Sequence, residues 1–138
     1  MNYRKYPDSL LKHLIAAPFI YMMIVPLVLL DISMEIYHRI CFPLYGIDYV
    51  NRKEYIKIDR HRLSYLTGLE KINCAYCGYA NGLMHYASII AGETERYWCS
   101  IKHEEDSNFL PPQHHNDFLE HGNKDGLIEL TADEYLQD

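Results

Sequence analysis

Three cysteines and one histidine in the middle of the chain have the spacing of ligands for a single metal ion. Cys74 and Cys77 form a C-x2-C pair, and after 21 further residues Cys99 and His103 form a C-x3-H pair. Thiolate sulfur and imidazole nitrogen are the donors of tetrahedral zinc sites, in which two such pairs supply all four ligands. The spacing therefore predicts a Cys3His site, with Gly78 completing a tight turn around the first pair.

The ligand set leaves the identity of the metal open. Zn2+ is the simplest occupant, and a site with four protein ligands would then be structural. The same residues can hold iron or a [2Fe–2S] cluster, which would make the centre a redox group. Four cysteines also suffice for two disulfides, although this spacing is more typical of ligands. Glu95 lies one helical turn before Cys99 and either orients a ligand through a hydrogen bond or is simply solvated.

A second set of polar residues follows an apolar segment. Asp31, Glu35 and His38 recur at i, i+4 and i+7, so they share one face of a helix. Glu-x-x-His is the spacing used in helical bundles that bind two metal ions, but those sites need a second copy, which this chain lacks. Three interpretations stay open: a second metal or proton-handling site, a contact with a partner subunit, or an interfacial helix end in which Glu35 pairs with Arg39.

The element that must carry these residues begins with an uncharged run over residues 14–30. As a helix this run is roughly 25 Å long, slightly short of a ~30 Å hydrocarbon core, and Pro18 and Pro26 predict a kink. We expect an anchor helix over residues 14–42, ending before Pro43, that either spans the membrane or dips into it. The basic start resembles a secretory signal, but no small-residue cleavage site follows the run. A buried core helix is the remaining alternative.

The middle of the chain is expected to form a small helical domain around the metal. We predict a short strand over residues 55–58, a short helix over 61–71, a two-cysteine knuckle over 73–79, and a long helix from Gly82 to His103 capped by Asn81. Metal ligation would supply stability that so small a core lacks. The core face of the long helix is predicted from its apolar spacing to be Leu83, Ala87, Ile90, Ala91, Thr94, Trp98 and Ile101.

Charge is unevenly distributed. The formal net charge is −6, and residues 104–138 hold ten acidic side chains against Lys124 alone. We expect this tail to be largely flexible, with His114, His115 and His121 as ordinary polar residues. The lack of a concentrated basic face argues against nucleic-acid binding. Basic residues before the cysteines are expected to lie against anionic lipid headgroups: Arg52, Lys53, Lys57, Arg60 and Arg62.

The segments around the ligand pairs, CAYCGYANG over 74–82 and YWCSIKH over 97–103, resemble a group of small bacterial membrane proteins without an assigned activity. The resemblance covers roughly residues 14–121, including CFPLYG over 41–46 and IDRH over 58–61. It implies a membrane-anchored metal-binding protein and carries no catalytic role.

Two smaller likenesses concern the ligand pairs themselves. The C-x2-C-Gly-Tyr turn is similar to one knuckle of rubredoxin, whose second knuckle is missing here. The C-x3-H end is similar to that of membrane-anchored [2Fe–2S] proteins of the CDGSH type. The chain departs from that type in its C-x2-C pair and in lacking Asp-Gly after the third cysteine.

Together these features predict a mainly α chain: one kinked membrane helix plus a small helical domain stapled by the metal. The predicted parts are a flank over 1–13, the anchor over 14–42, the domain over 43–110 and the acidic tail over 111–138. We expect an accessory or assembly subunit in a bacterial inner membrane, with the metal domain in the cytoplasm and with lipid and other membrane subunits as partners.

The alternative function is a membrane-bound electron-transfer protein with iron at the Cys3His site. The sequence shows no nucleophile with a neighbouring base and no glycine-rich phosphate loop, so hydrolase and kinase activities lack support. Whether the protein is an enzyme stays open.

Overall fold

The protein is mainly helical, as expected. The computed structural model describes residues 10–135, with the side chains of residue 12 and of residues 14–129. No strand occurs in this part of the chain, so the strand expected over residues 55–58 is wrong. The α-helices are α1 (Leu10–Met22), α2 (Ile24–Tyr45), α3 (Arg52–Tyr55), α4 (Gly68–Trp98) and α5 (Lys124–Tyr135), with 3-10 turns at Arg60–Arg62 and Gln113–Asp117.

One stretch, residues 14–45 in α1 and α2, is by its length and composition apolar enough to cross a bilayer. The two helices separate at Met23. Pro26 explains the break, because its ring lacks an amide hydrogen and collides with the carbonyl four residues earlier, at Met22. The predicted kink is therefore confirmed at Pro26, while Pro18 lies inside α1.

The end of α2 lies beyond the proline that was expected to stop it. The helix continues through Pro43 to Tyr45. It ends at Gly46, whose positive φ of 66° turns the chain, and the amide of Ile47 donates to the carbonyl of Phe42 at 2.9 Å. This left-handed glycine cap satisfies the last carbonyls of the helix. The predicted stop before Pro43 is wrong because the glycine cap governs the end.

The chain forms two compact units, residues 1–88 and 89–138, and the boundary falls within α4. Buried apolar side chains of the first unit are Leu27, Phe42, Val50, Leu83 and Tyr86. In the second unit Ile90 and Phe118 are buried. Of the predicted core face, Leu83 and Ile90 are confirmed, whereas Trp98 is 63% exposed.

The start of α4 lies fourteen residues earlier than predicted. Thr67 and Glu70 cap it reciprocally: the Thr67 amide donates to the Glu70 carboxylate at 2.8 Å, and the Glu70 amide donates to the Thr67 hydroxyl at 3.4 Å. This capping box nucleates the helix. Residues 73–79 are therefore continuous helix, and the predicted knuckle is wrong. Asn81, the expected cap, lies inside the helix and donates to the carbonyl of Cys77.

The connector over residues 55–58 crosses α4 directly above two glycines one helical turn apart. A Cβ at Gly82 would lie 2.8 Å from the carbonyl oxygen of Tyr55, and one at Gly78 would lie 3.0 Å from that of Lys57. Only glycine leaves room for backbone to approach helix backbone this closely. Gly78 thus serves this crossing rather than a turn between metal ligands.

The C-terminal end of α4 brings the last third of the chain back on itself. After Trp98 the chain reverses at Ser100, whose φ is 47°. The Leu119 amide donates to the Ser100 carbonyl and the Lys102 amide donates to the Leu119 carbonyl, both at 2.8 Å. The helix predicted to run to His103 is wrong, and residues 113–119 are held beside residues 100–102 instead of belonging to a flexible tail.

Candidate metal centre

Among the residues that the structure describes, the four predicted as a Cys3His site do not appear as a group of converging ligand atoms. Cys74 and Cys77 lie in the first half of α4, and Cys99 directly follows its last residue. The Cys3His ligand set, with zinc or with iron, is therefore not shown by the structure and stays a prediction.

The cysteines are free thiols in the structure. Cys41 and Cys74 are half-buried, and Cys77 and Cys99 are exposed. The alternative of two disulfides is therefore not what the structure shows.

Asp31 and Glu35 share one face of α2, as predicted, but they bind an arginine. Nη2 of Arg52 lies 2.8 Å from Oδ2 of Asp31, Nη1 also contacts Asp31, and Nη1 lies 3.3 Å from Oε1 of Glu35. The predicted pair between Glu35 and Arg39 is confirmed at 3.1 Å. The two carboxylates are therefore neutralised by guanidinium groups and offer no site for a cation.

His38 is fully buried and uses both ring nitrogens. The Val50 amide donates to Nε2 at 3.1 Å, and Nδ1 lies 2.9 Å from the hydroxyl of Tyr86, which donates to Glu35 at 3.1 Å. An imidazole with both nitrogens occupied has no lone pair for a metal. These contacts do not support the second metal site at Asp31, Glu35 and His38, whereas the pair expected between Glu35 and Arg39 is present.

The same network changes the acidity of its outer members. Hydrogen bonding to Asp31 raises the pKa of the Arg52 guanidinium. The hydroxyl of Tyr79 donates to Asp31 at 2.8 Å, and burial together with that bond raises the pKa of Tyr79 to about 12. Burial, and then the hydrogen bond to Glu35, also raise the pKa of Tyr86. These groups keep their protons at neutral pH and hold the network closed.

One of the five basic residues expected to face lipid headgroups, Arg52, takes part in the hydrogen-bond network with Asp31 and Glu35. Arg52 is half-buried against carboxylates and is not free for headgroups. Lys57 lies 3.5 Å from Asp59 but its side chain is 80% exposed. The other three members of the set, Lys53, Arg60 and Arg62, are exposed as expected.

A different group of side chains converges in the second unit. Ligand atoms of Glu95, His103 and His115 all lie within 4.8 Å of one another. In the part of the chain that the structure describes, no other group of three histidine, cysteine or carboxylate side chains meets this criterion. Two imidazoles and one carboxylate form a donor set that suits zinc and other first-row transition metals.

Three local features position these donors. Glu95 lies in the last turn of α4, where its carbonyl accepts from the amides of Cys99 and Ser100 as the chain reverses. His103 follows that reversal. His115 lies in the 3-10 turn at Gln113–Asp117, which begins directly after two prolines.

The carboxylate of Glu95 bridges two adjacent histidines. Oε2 of Glu95 lies 2.8 Å from Nε2 of His114, and Oε1 lies 3.1 Å from Nε2 of His115. Hydrogen bonding by His114 holds the pKa of the carboxyl below its ordinary value, against the opposing effect of burial. Glu95 is thus an ionised acceptor at neutral pH, with one oxygen held by His114 and the other directed at His115.

His115 is the buried member of the group. Only 3% of the residue is exposed, and its ring stacks on Phe118 with centroids 5.0 Å apart. Its Nε2 bonds Glu95, but its Nδ1 is buried without a hydrogen-bond partner. A buried polar atom of this kind costs free energy unless an ion or water satisfies it. The ring of His103, which is exposed, lies 5.4 Å away.

A cleft of about 580 Å3 opens beside these histidines and is lined by both His103 and His115. Its other charged lining residues are mostly acidic, and the one lysine, Lys102, is paired with Glu120. A cleft of one charge sign raises the local concentration of the opposite ion, here a cation. The acidic lining residues are Glu104, Glu105, Asp106 and Glu120.

The sequence singled out His103 and Glu95, but not the neighbours that the structure gives them. Glu95 was expected either to orient a ligand or to be solvated, and in the structure its carboxylate contacts His114 and His115. His115 was missed because its segment has the composition of a mobile tail. The available signal was Pro111-Pro112 shortly before the two histidines, since each proline fixes φ and so restricts the backbone that enters the turn.

Comparison of the chain with family models, with curated proteins and with solved structures gives no match.

Proposed function

We propose that this is a membrane-associated protein that binds a divalent transition-metal ion through Glu95, His103 and His115. The observation that carries the proposal is the convergence of the three donors within 4.8 Å, with one nitrogen of the buried His115 left without a partner. The apolar stretch over residues 14–45 supplies the membrane association. The protein then acts as an accessory subunit that holds a metal at the membrane.

The donor set favours Zn2+, with Fe2+ as the alternative. Two histidines and one glutamate hold zinc in sites that keep a fourth position for water or a further ligand. Two histidines and a carboxylate also bind non-haem Fe2+. A three-donor site beside an open cleft therefore supports exchange or presentation of the ion more than permanent structural binding.

The supporting contacts agree with this assignment. Metal-binding side chains are held in orientation by outer hydrogen bonds, and such partners typically contribute 10–100-fold to affinity. His114 provides that bond to Glu95. The acidic lining of the cleft attracts the cation before it is bound.

The test is metal binding by the purified protein and matched variants. We expect about one equivalent of zinc by elemental analysis, and titration calorimetry on the metal-free protein should give a loss of at least tenfold in affinity for His115→Ala, His103→Ala and Glu95→Gln. Cys99→Ser and His121→Ala, which remove other potential ligands outside the three donors, should bind as the native chain does. Absence of bound metal, or affinity that depends on Cys99, would overturn the proposal.

Cobalt substitution distinguishes this site from a thiolate site. Co2+ bound to nitrogen and oxygen gives visible d–d bands without the near-ultraviolet thiolate charge-transfer band. We expect the spectrum of the native chain and of Cys74→Ser to coincide. A thiolate band lost in the cysteine variant would restore the cysteine ligands.

A cytoplasmic position for the site follows from the sequence-based expectation that free thiols stay reduced there. A reporter fused after the last residue would show which side of the membrane the second unit occupies.

A further inference from the structure

We propose that α1 and α2 lie in the plane of the membrane surface, with one exposed apolar face in the lipid, and do not cross the bilayer. This inference rests on the membrane association in the proposed function and assigns its geometry. All contacts that support it belong to the first unit, residues 1–88.

One side of α2 and of the end of α1 is a continuous exposed apolar stripe. Its members recur every three or four residues, so they share one face. It runs beside Asp31 and Glu35, which line a shallow surface pocket with Ile32 and Ile36. One charged side chain, the 69% exposed Arg39, borders the stripe and pairs with Glu35. The stripe extends over roughly 33 Å. The stripe residues, each between 53% and 75% exposed, are Met22, Val25, Leu29, Ile32, Ile36, Ile40 and Leu44.

On another side of the two helices, tyrosine hydroxyls of α4 make contacts that follow the same order along both segments. The hydroxyl of Tyr76 donates to the Ile20 carbonyl at 2.8 Å. Further along, Tyr79 donates to Asp31 and Tyr86 donates to Glu35. The first part of α4 therefore lies level with the middle of the uncharged run over residues 14–30.

The charged connector between α2 and α4 also returns along this side. Arg52 binds Asp31, the carbonyl of Lys57 lies over Gly78, and Arg60 lines a small cavity with Asn73, Cys74 and Cys77. Asn73 in turn is bonded to Tyr21. The connector thus passes from the level of Asp31 back to the level of Tyr21.

The path of the connector favours helices that lie on the bilayer over helices that cross it. If residues 14–30 crossed the hydrocarbon, the exposed charges of Lys57, Asp59, Arg60 and Arg62 would be carried into it with them, and charged groups there are costly. If the helices lie flat, the stripe faces the acyl chains while α4 and the connector stay on the aqueous side. Helices with one apolar and one polar side adopt this interfacial position.

The depth of the stripe can be measured by tryptophan fluorescence. Trp98 is the single tryptophan of the chain, so Trp98→Phe provides a silent background. Into it we place Val25→Trp, Ile32→Trp or Ile40→Trp, and reconstitute each full-length variant in vesicles of phosphatidylcholine and phosphatidylglycerol with acyl chains brominated at shallow or deep positions. The matched control is Lys57→Trp on the connector.

We expect all three stripe variants to be quenched most by shallow bromines and to the same extent, and Lys57→Trp to remain unquenched. Quenching depth that changes progressively along the 15 residues from position 25 to 40, up to ~22 Å, with Lys57→Trp also quenched, would overturn the in-plane geometry while leaving membrane association intact. No quenching at any position would mean that the stripe binds protein, and would overturn the membrane part of the proposed function as well.

Discussion

The imidazole of His114 lies against the backbone of α4 at Gly92. A Cβ at that position would come within 2.9 Å of Nδ1 of the imidazole and 3.1 Å of Cγ. Because glycine leaves this space, the His114 ring can approach α4 closely enough for its Nε2 to reach Glu95, one turn further along. A glycine that lacks a positive φ is thus explained by the histidine it accommodates.

Gly92→Ala should therefore weaken metal binding without unfolding the protein. The new methyl group displaces the His114 ring and releases one oxygen of Glu95, and loss of such a supporting bond typically costs 10–100-fold in affinity. Zinc titration calorimetry measures the loss. Ala91→Ser, an exposed change at the neighbouring position, is the control, and equal affinity for both variants would show that His114 does not orient Glu95.

Gly82→Ala should destabilise the first unit. Its Cβ would lie 2.8 Å from the carbonyl of Tyr55 and 2.9 Å from Cα of Ile56, so backbone must move, at about 1–3 kcal/mol. Gly68→Ala, where no atom lies within 4 Å of the added Cβ, should change stability by no more than about 1 kcal/mol and in the favourable direction. Urea unfolding followed by circular dichroism compares the two. Similar midpoints would contradict the close crossing of connector and helix.

Arg52→Gln should destabilise the same unit because it leaves two carboxylates without their shared partner. The side chains of Arg52, Asp31 and Glu35 are 32%, 15% and 21% exposed, so we expect a loss of about 1–3 kcal/mol in the free energy of unfolding. Arg52→Lys keeps the charge but not the two-pronged geometry and should fall in between. Lys53→Gln, an exposed neighbour, should have no measurable effect, and a loss equal to that of Arg52→Gln would argue against the network.

Stability should fall at alkaline pH partly because of Tyr79. Its pKa is raised to about 12 in the folded protein, against about 10 in an unfolded chain. The folded state therefore holds this proton more tightly, so the stabilisation is complete below pH ~10 and is lost as the pH rises toward 12. Urea unfolding between these pH values should show a shallower decline for Tyr79→Phe. An identical decline in both proteins would mean that folding does not raise the pKa of Tyr79.

Local features of the fold were readable from the sequence, because each depends on neighbouring residues. The uncharged run and the steric effect of Pro26 predicted a broken apolar helix, and the i, i+4 spacing predicted the pair between Glu35 and Arg39. The start of α4 is also marked by a local motif, the Thr67-x-x-Glu70 capping box. The two cysteines that follow it suggested a knuckle instead of a helix. Cysteine spacing alone does not break a helix whose interior contains no proline.

Only the tertiary structure decided which distant residues meet. From the sequence alone, Arg52 could bind either lipid headgroups or carboxylates. In the structure the connector between α2 and α4 runs back along α2 and places Arg52 beside Asp31. His115 becomes a candidate ligand because the chain reverses at Ser100 and residues 113–119 pair with it, which brings an imidazole twenty residues away against Glu95. Spacing along a chain fixes which side chains share a helix face, whereas a metal centre or a lipid-facing surface depends on how separate segments pack, and the free energy of that packing is spread over the whole unit.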